Sequence, residues 1–420
     1  MKFFLLRLLK SSWTALRDAY LTFRVADNWK SSQEADVVII APTHAYHDET
    51  EEGRFSSLLD PLHKWLLSRG LDSQKVLLPI AERRNLKLVF PGLVINRVMF
   101  LARVRDHLGR VSSREYGGKT FQVAAYRRIL QNLKPRLVLV TNAPEALCIA
   151  AHQLAIPIVE VHHGFGTSFV PWGWNEREAN ELPNGFLAFD GQSCATFSAL
   201  ESKGLRVSRV PFPYLFVREN AVVDRQLLVP QDVIVPDDQP VVLVSLQWGY
   251  GGEKFGFPAL PNGLVPEALL EAVQSSAETA HWLFRFHPVL TGKRRFHKRI
   301  RSFVELLSDF PNCQWEVPTR IPLWEVMDAS TCHITMSSST TAVASAYGRR
   351  SLVLDPRLKP GNELQEMFRE EQRLGDITLG DGYSAISILE WIHQQSPLRD
   401  RISPLGRGSW VSWLRSVGLE

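Results

Sequence analysis

Cysteine is scarce in this chain and never paired: Cys148, Cys194, Cys313 and Cys332 are scattered over 420 residues with no CxxC spacing. A disulfide framework or a zinc finger is thereby excluded, and a reducing, cytoplasmic environment fits best. Long apolar runs are missing too. No stretch approaches the roughly 20 apolar residues that span a bilayer, and Arg7 and Lys10 interrupt the N-terminal apolar stretch too early for a signal-peptide core. Charge of one sign is weak: a net +4 on this length, with no basic stripe, speaks against nucleic acid as a partner. No DxD, no HExxH and no cluster of carboxylates marks a metal site, and no cofactor motif stands out.

What is present is a globular chain too long for a single ordinary core, so two domains are expected. Residues 1–30 read as a basic amphipathic helix, with Arg7, Lys10, Arg17 and Arg24 near one face and Phe3, Phe4, Leu8 and Trp13 on much of the rest. Such a helix, through residues 1–24, either lies on the anionic inner-membrane surface or packs on its own domain. Beyond it, ADVVIIAP (35–42) reads as a buried strand, and residues 55–69 as a helix that Pro61 kinks or restarts. Strand-like runs return at 75–80, 136–141, 156–162 and 185–189, with helical stretches between several of them.

A proline-rich segment, 216–239, then reads as a linker. After it the alternation is cleaner. Strands are expected at 240–248, 281–288, 313–316, 331–336 and 350–355, with helices between them, and further helices at 384–395 and 408–417. The predicted organisation is an α/β chain of two Rossmann-like, doubly wound domains, 31–215 and 240–390, facing a central cleft, followed by C-terminal helices over 391–420. Trp391, Trp410 and Trp413 imply that those last helices pack on something.

Three segments place reactive side chains at strand ends. In IPIVEVHHGFGTSF (156–169) a buried run leads into Glu160, His162 and His163, with Gly164 and Gly166 allowing a tight turn. A histidine facing a cleft has the pKa of a general base, so His163 is the catalytic candidate, oriented or polarised by Glu160, unless the pair is structural. Successive strand residues alternate faces, so His162 and His163 should not share a role. In LFRFHPVL (283–290), Arg285 and His287 are two apart and would face one side of a strand, presenting two donors to a phosphate or ribose. In TMSSSTTAVASAYGRRSLVLD (335–355), Ser337, Ser338, Ser339, Thr340 and Thr341 lie between a strand and an alanine-rich helix. A plain cap needs one hydroxyl rather than five, so phosphate binding is the stronger interpretation. A glycine loop, QWGYGGEKFGF (247–257), holds Gly249, Gly251 and Gly252 and serves as a mobile cover over the cleft, as a contact for the acceptor, or as an ordinary surface loop.

In this order the three segments resemble bacterial surface-polysaccharide transferases of the GT-B fold. The run I-P-I-V-E-V-H-H-G looks like the E-x-Q-H-G segment of capsule-synthesis proteins, with His162 in place of glutamine. R-F-H-P is similar to the HP motif of capsule Kdo transferases, polysialyltransferases and CDP-glycerol glycerophosphotransferases, and S-S-S-T-T to their serine-rich donor motif. The resemblance covers about residues 135–355. It implies His163 as base, His287 as donor binder or leaving-group stabiliser, and Ser337 to Ser339 as phosphate binders. It also implies a metal-independent glycosyltransferase using a CMP- or CDP-linked donor and a glycan or lipid-linked acceptor, at the cytoplasmic face of the inner membrane, in capsule, O-antigen or lipopolysaccharide synthesis. Two other functions remain open: a UDP-sugar 2-epimerase-like enzyme of the same architecture, and a non-catalytic nucleotide-binding scaffold.

Overall fold

The computed structural model describes residues 22–23, 26–42, 46, 48–49, 53–77, 87–112, 119–162, 170–213, 238–252, 260–362, 364–380, 384–395 and 408–419. Most of the expected N-terminal helix and of the linker lies outside the described residues, as do His163, Gly164 and Gly166.

The first domain is a seven-stranded parallel sheet in the order β5-β4-β1-β6-β7-β8-β9. Its strands are β1 (Val37–Ala41), β4 (Ser73–Leu77), β5 (Leu93–Val94), β6 (Leu137–Val140), β7 (Ile158–Val161), β8 (Gly185–Ala188) and β9 (Arg206–Arg209). A small antiparallel hairpin, β2 (Asp48–Glu49) with β3 (Arg54–Phe55), stands apart from it. Every residue of β1, β6, β7 and β8 is buried, which is why these strands read as unbroken apolar runs: helices cover both faces. The second domain is a six-stranded parallel sheet in the order β12-β11-β10-β13-β14-β15. Its strands are β10 (Val241–Ser245), β11 (His281–Arg285), β12 (Cys313–Gln314), β13 (Cys332–Thr335), β14 (Ser351–Val353) and β15 (Ile377–Leu379).

In both sheets the strand order reverses beside the first strand, between β1 and β6 and between β10 and β13. Crevices at such reversals, outside the carboxyl ends of the strands, are where open α/β sheets bind ligands. Pro61 falls in the first turn of the helix Leu59–Ser68 and so opens it, because the missing N–H has no intrahelical partner there anyway.

The domains touch through an apolar seam in which Phe55 of β3 meets Trp324, ring centroids 5.0 Å apart at 67°. A forked ion pair, Arg209 to Glu370 at 2.9 and 3.1 Å, joins them elsewhere. Behind Phe55 the Ser56 N–H donates to Asp60 at 2.7 Å, and Asp60 in turn is paired with the buried Lys75. The helix Ala385–His393 buries Ile388 and Ile392 in the second core, whereas Gly408–Ser416 returns to the first domain. There Trp410 is fully buried against Trp65, and its indole N–H donates to the Pro211 carbonyl at 2.8 Å. Among the described residues no helix is long and apolar enough to cross a membrane.

Candidate functional site

A polar network runs from inside the second sheet to the carboxyl ends of β10 and β13. His333, fully buried on β13, accepts or donates at both ring nitrogens: Nδ1 is 2.9 Å from Ser351 Oγ, while Nε2 is 2.9 Å from Ser245 Oγ and 3.2 Å from Thr340 Oγ1. Burial pushes its imidazole down to about 3, so the ring is neutral and ties three strands to the serine run. Within that run the Thr341 hydroxyl donates to the Ser338 carbonyl at 2.9 Å, and Ser338 Oγ accepts from the Thr340 N–H at 3.2 Å. Ser338 and Thr341 are buried; Ser337, Ser339 and Thr340 are half-buried. Ser339, the residue before the helix Thr340–Ala346, makes no side-chain cap.

The glycine loop delivers Tyr250 to this spot. Its hydroxyl donates to Asp355 Oδ2 at 2.7 Å and lies 3.3 Å from Ser337 Oγ. Arg357 completes the group with Nη2 2.6 Å and Nε 3.2 Å from the same carboxylate oxygen. Burial pushes the Asp355 carboxyl up, but hydrogen bonds from Arg357 and Tyr250 outweigh it and hold the group ionised below the usual range. Two of the loop's glycines have a conformational reason: Gly249 and Gly252 take φ of 108° and 79°. Sequence reasoning missed Tyr250, His333, Asp355 and Arg357. The legible signals were the tyrosine inside a glycine loop and the aspartate where a strand ends before proline.

Arg285 and His287 do not share a strand face as the spacing predicted. β11 stops at Arg285, because Pro288 has no N–H for the ladder and His287 instead caps a short helix, Pro288–Gly292. His287 Nδ1 accepts from the Val289 N–H at 3.1 Å, which leaves the proton on Nε2. Arg285 is buried, and its Nη1 donates to the carbonyls of Pro318 and Ile321 at 2.6 and 2.5 Å. Its charge is thus held by backbone carbonyls beside the sheet.

In the first domain Glu160 is fully buried and accepts two backbone N–H bonds from the loop after β6, Asn142 at 2.7 Å and Ala143 at 2.8 Å. Burial pushes its carboxyl up to about 8, with the two donors and Arg177 pulling the other way. Glu160 thereby holds the β6 loop, whereas His163, the base it was expected to orient, lies outside the described residues. His162 follows the end of β7 and is enclosed by Phe186, Phe197 and Trp172, at centroid distances of 4.9, 5.6 and 6.4 Å. Among the described residues no group of three or more His, Cys, Asp or Glu could hold a metal ion.

This arrangement of two parallel α/β sheets is shared with solved structures. UDP-GlcNAc 2-epimerase from Methanocaldococcus jannaschii matches 92% of this chain and 100% of its own at a TM-score of 0.54 and 13% identity. The Neisseria meningitidis enzyme of that name, bound to UDP-GlcNAc, matches 92% of this chain and 100% of its own at 0.52 and 15%. S. aureus MnaA with UDP matches 92% and 98% at 0.52 and 15%. The likeness is one of fold. The chain has the GT-B architecture. No protein-family model and no curated protein sequence matches it.

Proposed function

We propose that the protein is an enzyme acting on a nucleotide-activated sugar, with the nucleotide phosphates received by the serine run and the Tyr250–Asp355–Arg357 group. The observation that carries this is the meeting of Ser337 with Tyr250, 3.3 Å apart at the β10–β13 reversal. Ser337 and Ser339 supply hydroxyl donors, and Arg357 is a cation already fixed in place by Asp355. Such preorganised donors stabilise a leaving phosphate without rearranging.

The reaction we favour is glycosyl transfer without a metal. An acceptor hydroxyl attacks the anomeric carbon, His163 takes its proton, and the bond from that carbon to the phosphate oxygen breaks, releasing the nucleotide. The HP and serine motifs support a CMP- or CDP-linked donor, an acceptor glycan or glycolipid, and a place in surface-polysaccharide synthesis at the inner membrane. A second reaction is favoured by one observation, the likeness to three UDP-GlcNAc 2-epimerases or UDP-bound relatives: inversion at the sugar C2 of a UDP-sugar with no acceptor.

A thermal-shift series with CMP, CDP, UDP and UDP-GlcNAc tests both, since a ligand of the folded state raises the melting temperature. A shift with cytidine nucleotides that Tyr250→Phe weakens supports the transferase. A shift with UDP-GlcNAc alone, together with a new sugar nucleotide formed in the absence of acceptor, replaces it by the epimerase. No shift with any of the four overturns both. Transfer should also survive a chelator; loss that Mg²⁺ restores would contradict the metal-free chemistry.

A further inference from the structure

The helix Asn96–Ser112 of the first domain is apolar on two opposite faces. Its inner face sends Met99 and Ala102 into the core and carries the buried Asp106. That carboxylate accepts the backbone N–H groups of Phe121 and Gln122 at 2.9 and 3.1 Å. Residues three and four apart share a helix face. By that rule Leu101, Val104 and Leu108 form a second ridge turned the other way, and they are 45%, 38% and 59% exposed. A single exposed leucine is ordinary on a protein surface. Three in register over two turns are not: among the described residues no other helix presents more than one exposed large apolar side chain.

The charged residues around the ridge are basic. At about 3.6 residues per turn Arg97 continues it toward the helix N-terminus, Arg105 flanks it, and Arg103 stands further round the opposite side. Arg103 and Arg105 are exposed, and Arg97 is half-buried. Arg97 Nη2 donates to the Phe23 carbonyl at 2.7 Å, and the Arg105 guanidinium stands 5.8 Å from the Phe121 ring, so what each meets is not an acid. The only carboxylate of the helix is Asp106, turned inward and occupied by the start of the next helix. A protein partner that covered the ridge would bury these cations as well, which is unfavourable unless it brings matching carboxylates. The surface of an anionic bilayer meets both demands. Its acyl boundary takes an apolar ridge to a depth of about 5–10 Å, and its phosphates receive arginines that snorkel outward.

We propose that the outward face of the helix Asn96–Ser112 docks on an anionic lipid bilayer, with Leu101, Val104 and Leu108 below the headgroups and Arg97, Arg103 and Arg105 among their phosphates. This surface belongs to the folded first domain and is distinct from residues 1–24. It holds whichever reaction the protein performs, because nothing in it depends on the nucleotide site.

Vesicle co-sedimentation of the full chain tests it, with phosphatidylcholine alone and with phosphatidylcholine containing phosphatidylglycerol. The wild type should bind the anionic vesicles, bind the neutral ones more weakly, and release from the anionic ones as salt rises. Leu101→Gln with Leu108→Gln should lower binding about tenfold or more. Glutamine is a good helix former, so that variant should keep its melting temperature. Arg103→Gln with Arg105→Gln should remove most of the preference for anionic over neutral vesicles. Ile386→Gln, an equally exposed apolar position on the second domain, should bind as the wild type does. Undiminished binding in the leucine variant would assign any membrane contact to another segment, residues 1–24 included. A lowered melting temperature in that variant would show that the chain itself covers the ridge. A wild-type dimer in analytical ultracentrifugation that the leucine variant converts to monomer would give the face to a second copy. Each of these, or no vesicle binding by the wild type, overturns the docking surface. The nucleotide-induced thermal shift, read on the same variants, should be unchanged, and its absence in the wild type would count against the proposed function alone.

Discussion

Glu160 and His333 are two buried titratable side chains whose pKa values burial moves in opposite directions, each toward the neutral form. Burial raises the Glu160 carboxyl from an ordinary 4.5 to about 8, so the folded state binds its proton more tightly than the unfolded chain. Its contribution to stability is full below about pH 4.5 and is lost as pH rises through about 8. Burial lowers His333 from 6.5 to about 3, so its contribution is full above 6.5 and lost as pH falls toward 3. Urea unfolding from pH 4 to 9 should resolve the two: Glu160→Gln flattens the alkaline side of the profile, and His333→Asn the acid side. Glu160→Gln should also lower stability by about 1–3 kcal/mol, because its amide NH2 must confront one of the two backbone N–H donors. An alkaline limb unchanged in Glu160→Gln would show that the carboxylate is ionised throughout and that the two N–H bonds overcome burial.

At the level of elements, the strand ends explain both what could be read in advance and what could not. The inner strands were legible because burial on both faces writes a continuous apolar run, as in Val37–Ala41 and Val241–Ser245. β5, β9 and β15 were not. They are short strands at or next to the sheet margins, and a sequence such as Arg206–Arg209 has no apolar run to find. The strand through 281–288 was read too long, since Phe286 continues the apolar pattern after the ladder has ended. The candidate phosphate site was half visible. Hydroxyls between a strand and a helix announce themselves, but Tyr250 and Asp355 meet across 105 residues of sequence, and only the sheet order brings them together. Tyr250→Phe should leave Asp355 short of one donor in a buried position. We expect a loss of about 1–3 kcal/mol in chemical denaturation and a smaller nucleotide-induced thermal shift. An unchanged thermal shift would separate Tyr250 from ligand binding and leave it a purely structural partner of Asp355.

For the whole molecule, the two domains meet through contacts of unequal weight. The half-exposed fork from Arg209 to Glu370 contributes on the order of 0–1 kcal/mol, and screening by salt weakens it further. The apolar seam at Phe55 and Trp324 excludes water and depends little on salt. Arg209→Ala should therefore change the melting temperature only slightly, and less still at high ionic strength. Trp410→Ala should be far more severe, about 3–5 kcal/mol, because it empties a fully buried indole site beside Trp65 and strands the Pro211 carbonyl. Unfolding followed by the fluorescence of the remaining tryptophans would register both, and a small effect at Trp410 would mean that the last helix is only loosely attached.

The return of Gly408–Ser416 to the first sheet also sets an order of events during synthesis. A ribosome finishes the first sheet at Arg209 but delivers the helix that packs Trp410 against Trp65 only roughly 200 residues later. At about 5–20 residues per second the nascent first domain waits on the order of 10–40 s without that helix. The second domain, contiguous in sequence, can close during the wait. The domain made first is therefore completed after the second, once residues 408–416 have emerged to pack against Trp65.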